Sequence, residues 1–165
     1  MTTEVAKTIA SSIISTRLDY CNSLLNNTPM FNLQKIQRLQ NNLARIVLCR
    51  PRGSNANKLW IELHWLPIAY RVQYKTALLT FKALHTGQPG YIADLLTGQP
   101  FRETRSTGQF RLLQLVSNSK TTSRGFSFSA PTVWNNLPTE LRLQSSLDSF
   151  KPKLKIYYFK AAYVC

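Results

Sequence analysis

The sequence has few acidic residues for its many basic ones. Seven Asp and Glu stand against 21 Lys and Arg in 165 residues, and the formal net charge is +14. A surface of this kind creates a positive field that attracts polyanions. We therefore expect nucleic acid as the leading partner, with a merely soluble basic surface or a membrane-facing basic surface as the alternatives.

Cysteine and histidine are also scarce. Cys21, Cys49 and Cys165 are far apart in the sequence, odd in number and without the Cys-x-x-Cys spacing of zinc sites. His64 and His85 are the only histidines, and a helix would separate them by about six turns. These counts predict neither a disulfide framework nor a metal site, and we expect no cofactor.

Long apolar runs are missing as well. The first fifteen residues carry apolar side chains at helical spacing, with no continuous stretch suited to a signal peptide or a membrane span. We expect an intracellular protein, cytoplasmic or nuclear, with no membrane partner. The hydrophobic fraction of 44% is nevertheless that of a folding sequence, and the length is that of one domain.

The first 97 residues show apolar residues at intervals of three and four, which predicts amphipathic helices. One helix is expected from Thr3 to Leu25, ended by Pro29. A second should begin near Asn32, which would cap it. Its inward face is predicted to contain Leu33, Ile36, Leu39, Leu43, Ile46 and Val47.

Three further helices are predicted before position 98. Ser54 or Asn55 can cap a short one that contains Leu59, Trp60 and Leu63. A long helix should extend from about Pro67 to His85, and a brief one should follow through residues 91–96. We expect the three tryptophans to be packing anchors rather than stacking platforms for bases: Trp60, Trp65 and Trp134.

Beyond Gly98 the composition shifts to Thr, Ser, Gly and Arg, which favours loops and short strands. Residues 110–116 and 125–129 are the best strand candidates, the second because Phe126 and Phe128 alternate with serines. A short helix should begin around residues 129–132. The last periodic run, from Leu147 to Tyr158, contains Pro152, so we expect a kink or a late start there.

These elements predict a mainly α protein: an irregular bundle of about four to six helices with a loop-rich, short-strand C-terminal third. Two regions follow, a helical one over residues 1–97 and a basic one over residues 98–165 that ends in a helix. The boundary near position 98 is soft, and both regions could form one unit.

Two predicted helices carry stripes of basic residues. In the second helix three cations and the amide of Asn42 are spaced three and four residues apart, which places them on one face. The long helix has a similar stripe. The stripes consist of Lys35, Arg38 and Arg45, and of Arg71, Lys75 and Lys82.

Arg105, with Arg102 and Arg124, lies in a stretch that could fold onto RNA or remain a linker. Near the C-terminus basic residues mix with aromatic rings, as in single-strand binders, although we expect at least half of the rings to pack in the core: Lys151, Lys153, Lys155, Lys160, Tyr157, Tyr158 and Phe159.

An ordered set of short sequence words runs through the chain: Leu18 to Leu25, Leu39 to Arg45, Leu63 to Pro67, Phe81 to Leu84, Tyr91 to Leu96, Arg102 to Ser106, Phe128 to Pro138 and Ser149 to Lys151. Together these words resemble the carboxy-terminal region of the reverse-transcriptase polyprotein of jockey-like non-LTR (LINE) retrotransposons. The resemblance extends from about Ile9 to Phe159.

The resemblance implies a segment after the polymerase fingers and palm: a thumb-like part over residues 1–97 and a tail that helps to hold template RNA and target DNA during target-primed reverse transcription. It also implies a possible partner in the polymerase domain that this chain lacks.

Catalysis is not expected. A polymerase needs clustered carboxylates for two metal ions, whereas no Tyr-x-Asp-Asp string occurs, and Asp19, Asp94 and Asp148 are isolated. We therefore interpret the chain as a non-catalytic nucleic-acid-binding fragment without a small-molecule substrate. The alternative is a structural or protein-docking module, or an inert relic of a truncated element.

Overall fold

The computed structural model describes residues 3–20, 22–97, 111–116, 119 and 121–163. Within these residues the chain forms eight α-helices and two short 3₁₀ helices, at Asn22–Leu25 and Thr122–Arg124. The α-helices are α1 (Thr3–Asp19), α2 (Met30–Val47), α3 (Ala56–Leu63), α4 (Ile68–Thr86), α5 (Gly90–Thr97), α6 (Phe126–Asn135), α7 (Thr139–Arg142) and α8 (Leu147–Tyr163). The prediction of a mainly α fold is thus confirmed, although the eight α-helices exceed the four to six that were expected.

Helix α4 is the central element. It contacts α2, α5, α6, α8 and the first 3₁₀ helix, which accounts for buried residues on more than one of its faces. Pro67 occupies its N-cap position, where the missing N–H of proline costs no intrahelical bond. Gly87 ends it in the left-handed conformation, at φ 64°, that glycine adopts without steric strain.

The main core joins α4 to the C-terminal helices through three aromatic rings. Phe81 stacks on Phe150 with centroids 4.1 Å apart, and Trp134 lies 6.4 Å from Phe81 and 6.1 Å from Phe150. Aromatic pairs of this kind contribute roughly 0.5–1.5 kcal/mol beyond the burial of their area. The cluster contains buried residues from both sides of position 98, from Leu66 to Tyr158.

A second, smaller core packs α1, α2 and α3 together. Its buried members include Ala44, Val47 and Trp60, so the prediction that Trp60 is a packing anchor is confirmed, as it is for Trp134 in the main core. Asn55 caps α3 by accepting a hydrogen bond from the Asn57 amide at 2.9 Å, as expected.

Two glutamine side chains attach α2 to the segment before α4. Gln40, which is buried, donates from Nε2 to the carbonyl of Leu66 at 2.9 Å. Gln37 accepts from the Ile68 amide at 2.8 Å and thereby satisfies one of the unpaired N–H groups at the start of α4. The inner face of α2 is therefore fixed by buried polar bonds as well as by apolar packing.

The prediction of short strands in the C-terminal third is wrong for the residues that the structure describes. Residues 125–129 enter α6, where Ser129 N and Phe128 N donate to the Gly125 carbonyl. The alternation of Phe126 and Phe128 with serines is too short to distinguish a strand from the start of a helix, and packing against α4 selects the helix.

Residues 111–116 have no regular structure, and Phe110 lies outside the described residues. Leu112 is instead held by one side chain: its N–H donates to Asn135 Oδ1 at 2.9 Å, and its carbonyl accepts from Asn135 Nδ2 at 2.7 Å. An amide side chain satisfies both backbone groups here, so no neighbouring strand is needed.

Several helix boundaries differ from the expectation. Helix α1 ends at Asp19 rather than Leu25, and α2 begins at Met30, two residues before Asn32. A late start of α8 is also wrong, since the helix begins at Leu147 and contains Pro152. Leu39 and Ile46 are exposed, although the periodicity predicted them inward. The apolar surface of α2 is wider than the part of the helix that α1, α3 and α4 cover.

Candidate nucleic-acid interface

The structure places the predicted basic residues in different settings. Lys35, Arg38 and Lys82 are exposed, on α2 and α4. Half-buried positions are occupied by Arg45, Arg71 and Lys75. Arg105 lies outside the described residues. The two predicted stripes are thus real helix faces, but their members do not share one environment.

Arg71 and Lys75 both bind Asp19, at the end of α1. The Arg71 guanidinium donates twice, from Nε to Oδ1 at 2.6 Å and from Nη2 to Oδ2 at 3.0 Å. Lys75 Nζ lies 2.8 Å from Oδ2. This bidentate geometry is the strong form of the ion pair. One carboxylate therefore orients two cations of α4 and joins α1 to α4.

Arg71 and Lys75 also line a cleft that two other helices complete. Lys7 of α1 and Lys155 of α8 face the same space, which has a volume of ≈ 380 Å³. We call it the cationic cleft. Its walls further contain Leu63, His64, Trp65, Leu66 and Tyr74. Four cations from three helices thus converge on one concavity, with the carboxylate of Asp19 bonded to two of them.

The aromatic wall of the cleft is held in place by contacts with α8. Tyr163 donates its hydroxyl hydrogen to the Trp65 carbonyl at 2.6 Å. His64, in the left-handed conformation at the end of α3, stacks on Phe159 with centroids 6.0 Å apart. The backbone of Trp65 and the ring of His64, both beside the four cations, are therefore in contact with α8.

Tyr74 is the titratable phenol of the cleft. Burial raises its pKa above the ordinary value of 10.0, and this effect outweighs the lowering by Arg71; the Asp19 carboxylate adds a further increase. The phenol therefore stays neutral at physiological pH and can donate a hydrogen bond to an anion.

A second basic surface covers the outer face of α2 and its C-terminal end. Arg45 donates from Nε and Nη2 to the Ser54 carbonyl at 3.3 and 3.1 Å, and from Nη1 to Asn42 at 3.2 Å. A hollow of ≈ 670 Å³ at this end is lined by Asn42, Arg45, Ile46, Cys49, Arg50 and Arg52. Nearer the N-terminus, Lys35 Nζ lies 4.3 Å above the ring of Phe31.

Sequence reasoning missed Lys7 and the role of Asp19. Lys155 was noted only as one of four lysines near the C-terminus. No sequence signal identifies these residues as neighbours, because the spacing within each helix says nothing about which face meets another helix.

The described residues contain no group of His, Cys, Asp and Glu that could hold a metal ion. Within the same ranges no helix is long and apolar enough to cross a bilayer. The chain matches no protein-family model, and neither a curated protein nor a solved structure shows significant similarity to it.

Proposed function

We propose that this chain is a non-catalytic nucleic-acid-binding segment that holds a single strand at the cationic cleft. The observation that carries the proposal is the convergence of Lys7, Arg71, Lys75 and Lys155 beside the rings of His64, Trp65 and Tyr74. Cations that follow a phosphate backbone, together with rings on which bases stack, are the usual components of single-strand binding sites.

The charges of the cleft suit a polyanion better than a single small anion. Asp19 uses two N–H groups of Arg71, and a guanidinium has five. Lys7 and Lys155 add ammonium groups from two other helices, α1 and α8. Lys82 lies two turns beyond Lys75 on the same face of α4, about 10 Å further along the helix axis, where it can contact a neighbouring phosphate.

We further propose that the segment derives from a LINE-type reverse transcriptase, acts inside the cell, and helps to hold template RNA or target DNA. The sequence words that resemble that family support this origin. In the structure several of them form contacts between distant parts of the chain: Asp19 belongs to the first word, Gln40 to the second and Asn135 to the seventh.

The test measures the affinity of the full chain for a labelled single-stranded RNA across a salt series. Lys7→Gln with Lys155→Gln is the informative variant, since Asp19 binds the other two cations of the cleft. Each lost phosphate contact should lower the salt slope by about 0.7 for a single strand. Lys58→Gln with Lys151→Gln removes the same charge from exposed positions outside the cleft and is the control.

A sulfated polysaccharide of equal charge density serves as the second ligand. RNA that binds clearly more tightly than the polysaccharide, and loses affinity only in the cleft variant, would support the proposal. Equal binding of both polyanions, or equal losses in both variants, would reduce the cleft to its general charge.

A second candidate function is protein docking. The observation that favours it is the set of large apolar side chains that α2 exposes next to its cations. This surface would explain a module whose main role is to pack against another protein, with or without nucleic acid.

A further inference from the structure

The outer face of α2 alternates apolar and basic side chains along one line. Phe31, Lys35, Leu39, Asn42 and Ile46 follow each other in steps of four, four, three and four, which places them on the same side of the helix. The exposed fractions of Phe31, Leu39 and Ile46 are 66%, 64% and 71%. Arg38 and Arg45 lie beside this line. We call this surface the α2 strip.

Exposure on this scale is not a general property of α2. The opposite side of the helix buries Gln40, Ala44 and Val47 against α3 and the segment before α4. The same helix therefore has one satisfied face and one face with three large apolar groups in water. Three large apolar side chains on one exposed helix face, with polar residues between and beside them, favour an interaction site.

The structure assigns the α2 strip to an acidic amphipathic helix of another protein, about four turns long. Phe31 and Ile46 are fifteen residues apart, which corresponds to about 22 Å along the helix axis. The apolar groups recur at intervals of eight and seven, the spacing at which two helices interdigitate. Asp and Glu beside the apolar line of the partner would pair with Lys35, Arg38 and Arg45. This inference develops the docking function and does not depend on nucleic-acid binding at the cleft.

Charge and pattern argue against other occupants. A second copy of the chain would bring further cations against Lys35 and Arg38 and be repelled. On a bilayer surface, the polar groups of Lys35 and Asn42 would interrupt the apolar line at each gap between Phe31, Leu39 and Ile46. Nucleic acid would pair with the cations but would leave Leu39 and Ile46 without a partner.

The arginines at and after the C-terminal end of α2 also favour an acidic partner. Arg45 donates to the Ser54 carbonyl, so its guanidinium is already ordered at the end of the strip. Binding of a partner therefore costs little side-chain entropy at this residue. Arg50 and Arg52 line the same hollow as Arg45 and Ile46. A partner helix that ends in several carboxylates would meet three guanidinium groups there.

The probe for the test is a labelled sixteen-residue peptide with leucines at intervals of seven and eight, glutamates beside them and alanine elsewhere. A peptide of the same composition in scrambled order is its control. Binding of the full chain to both is followed by fluorescence anisotropy. We expect the amphipathic peptide to bind at least about tenfold more tightly than the scrambled one.

Leu39→Gln with Ile46→Gln should weaken binding of the amphipathic peptide by about tenfold or more. Ile61→Gln with Ile156→Gln, two exposed apolar residues on other helices, should leave it unchanged. Circular dichroism establishes that both variants keep the helical fold.

Three results would overturn the inference: equal affinity for the two peptides, loss of RNA binding in the Leu39→Gln and Ile46→Gln variant, or binding of anionic phosphatidylserine vesicles that this variant abolishes. The second result would assign the strip to nucleic acid and the third to a lipid surface. Loss of RNA binding only in the cleft variant would leave the inference intact, so the two proposals fail separately.

Discussion

The cationic cleft and the α2 strip both include Lys and Arg residues spaced three or four apart on one helix, but they are different surfaces. In the cleft four cations lie in a concavity beside aromatic rings, and Asp19 orients two of them. On the strip they lie on a convex helix face and alternate with exposed apolar side chains. A stripe of Lys and Arg therefore does not define a partner by itself, because the groups around the charge decide which ligand it suits.

The largest expected effect follows from Asp19→Asn, which removes the charge that orients the cleft. Arg71 and Lys75 would remain half-buried beside each other without their carboxylate, and we expect the free energy of unfolding to fall by about 1–3 kcal/mol. Urea unfolding measures this loss. Asp94→Asn, at an exposed position on α5, is the control and should change stability by less than about 0.5 kcal/mol. Similar losses in both variants would mean that the two salt bridges contribute little.

Charge reversal on one surface at a time tests whether the two surfaces bind different ligands. Lys7→Glu with Lys155→Glu should weaken RNA binding by about tenfold or more and spare the acidic peptide. Lys35→Glu with Arg38→Glu should do the opposite. Both variants change the net charge equally, so a purely global electrostatic effect predicts equal losses. Anisotropy titrations of both ligands against both variants would reveal such equality, which contradicts the division into two surfaces.

Arg45 and Arg38 belong to one predicted stripe but should respond differently to the loss of charge. Arg45→Gln removes the hydrogen bonds to Ser54 and should lower the free energy of unfolding by about 1 kcal/mol. Arg38→Gln, on the exposed side, should stay within about 0.5 kcal/mol of the original chain. Thermal and urea unfolding compare the two. If Arg38→Gln destabilises the fold as much, Arg45 does not attach the following loop to α2.

The smallest effect concerns Tyr74 at alkaline pH. Burial raises the pKa of Tyr74 above 10.0, so the folded state retains the phenol proton more strongly than the unfolded state. The resulting stabilisation is fully present below pH 10 and is lost as the pH rises through the folded pKa. Tyr74→Phe should therefore reduce the alkaline loss of stability, measured by urea unfolding between pH 9 and pH 11. An unchanged pH dependence would place Tyr74 in contact with solvent.

Much of the helical architecture could be predicted from the periodicity of apolar residues and from the cap residues and prolines at helix ends. The short helix after Asn55 and the long helix from about Pro67 to His85 were anticipated because cap residues and proline act locally. Residues 125–129 were misinterpreted because five residues fit both periods. Their contact with α4, which decides between the two, involves residues some fifty positions away.

The candidate site was only partly predictable. Arg71 and Lys75 were identified as one stripe because they share a helix, and a single helix determines which of its own residues lie on one side. Lys7 and Lys155 were not assigned to that site, since they come from helices near opposite ends of the chain. The exposure of Leu39 and Ile46 could not be predicted either, because apolar periodicity identifies candidates for burial but not the partners that bury them.

The sequence alone determined the basic character, the helices and the residues that share a face of each helix. These properties depend on composition and on contacts within a few positions of the chain. Only the tertiary structure decided that Asp19 orients two cations, that three helices form one cleft, and that one face of α2 remains uncovered. Those outcomes depend on how the helices pack against each other. The spacing of residues within one helix does not determine that packing.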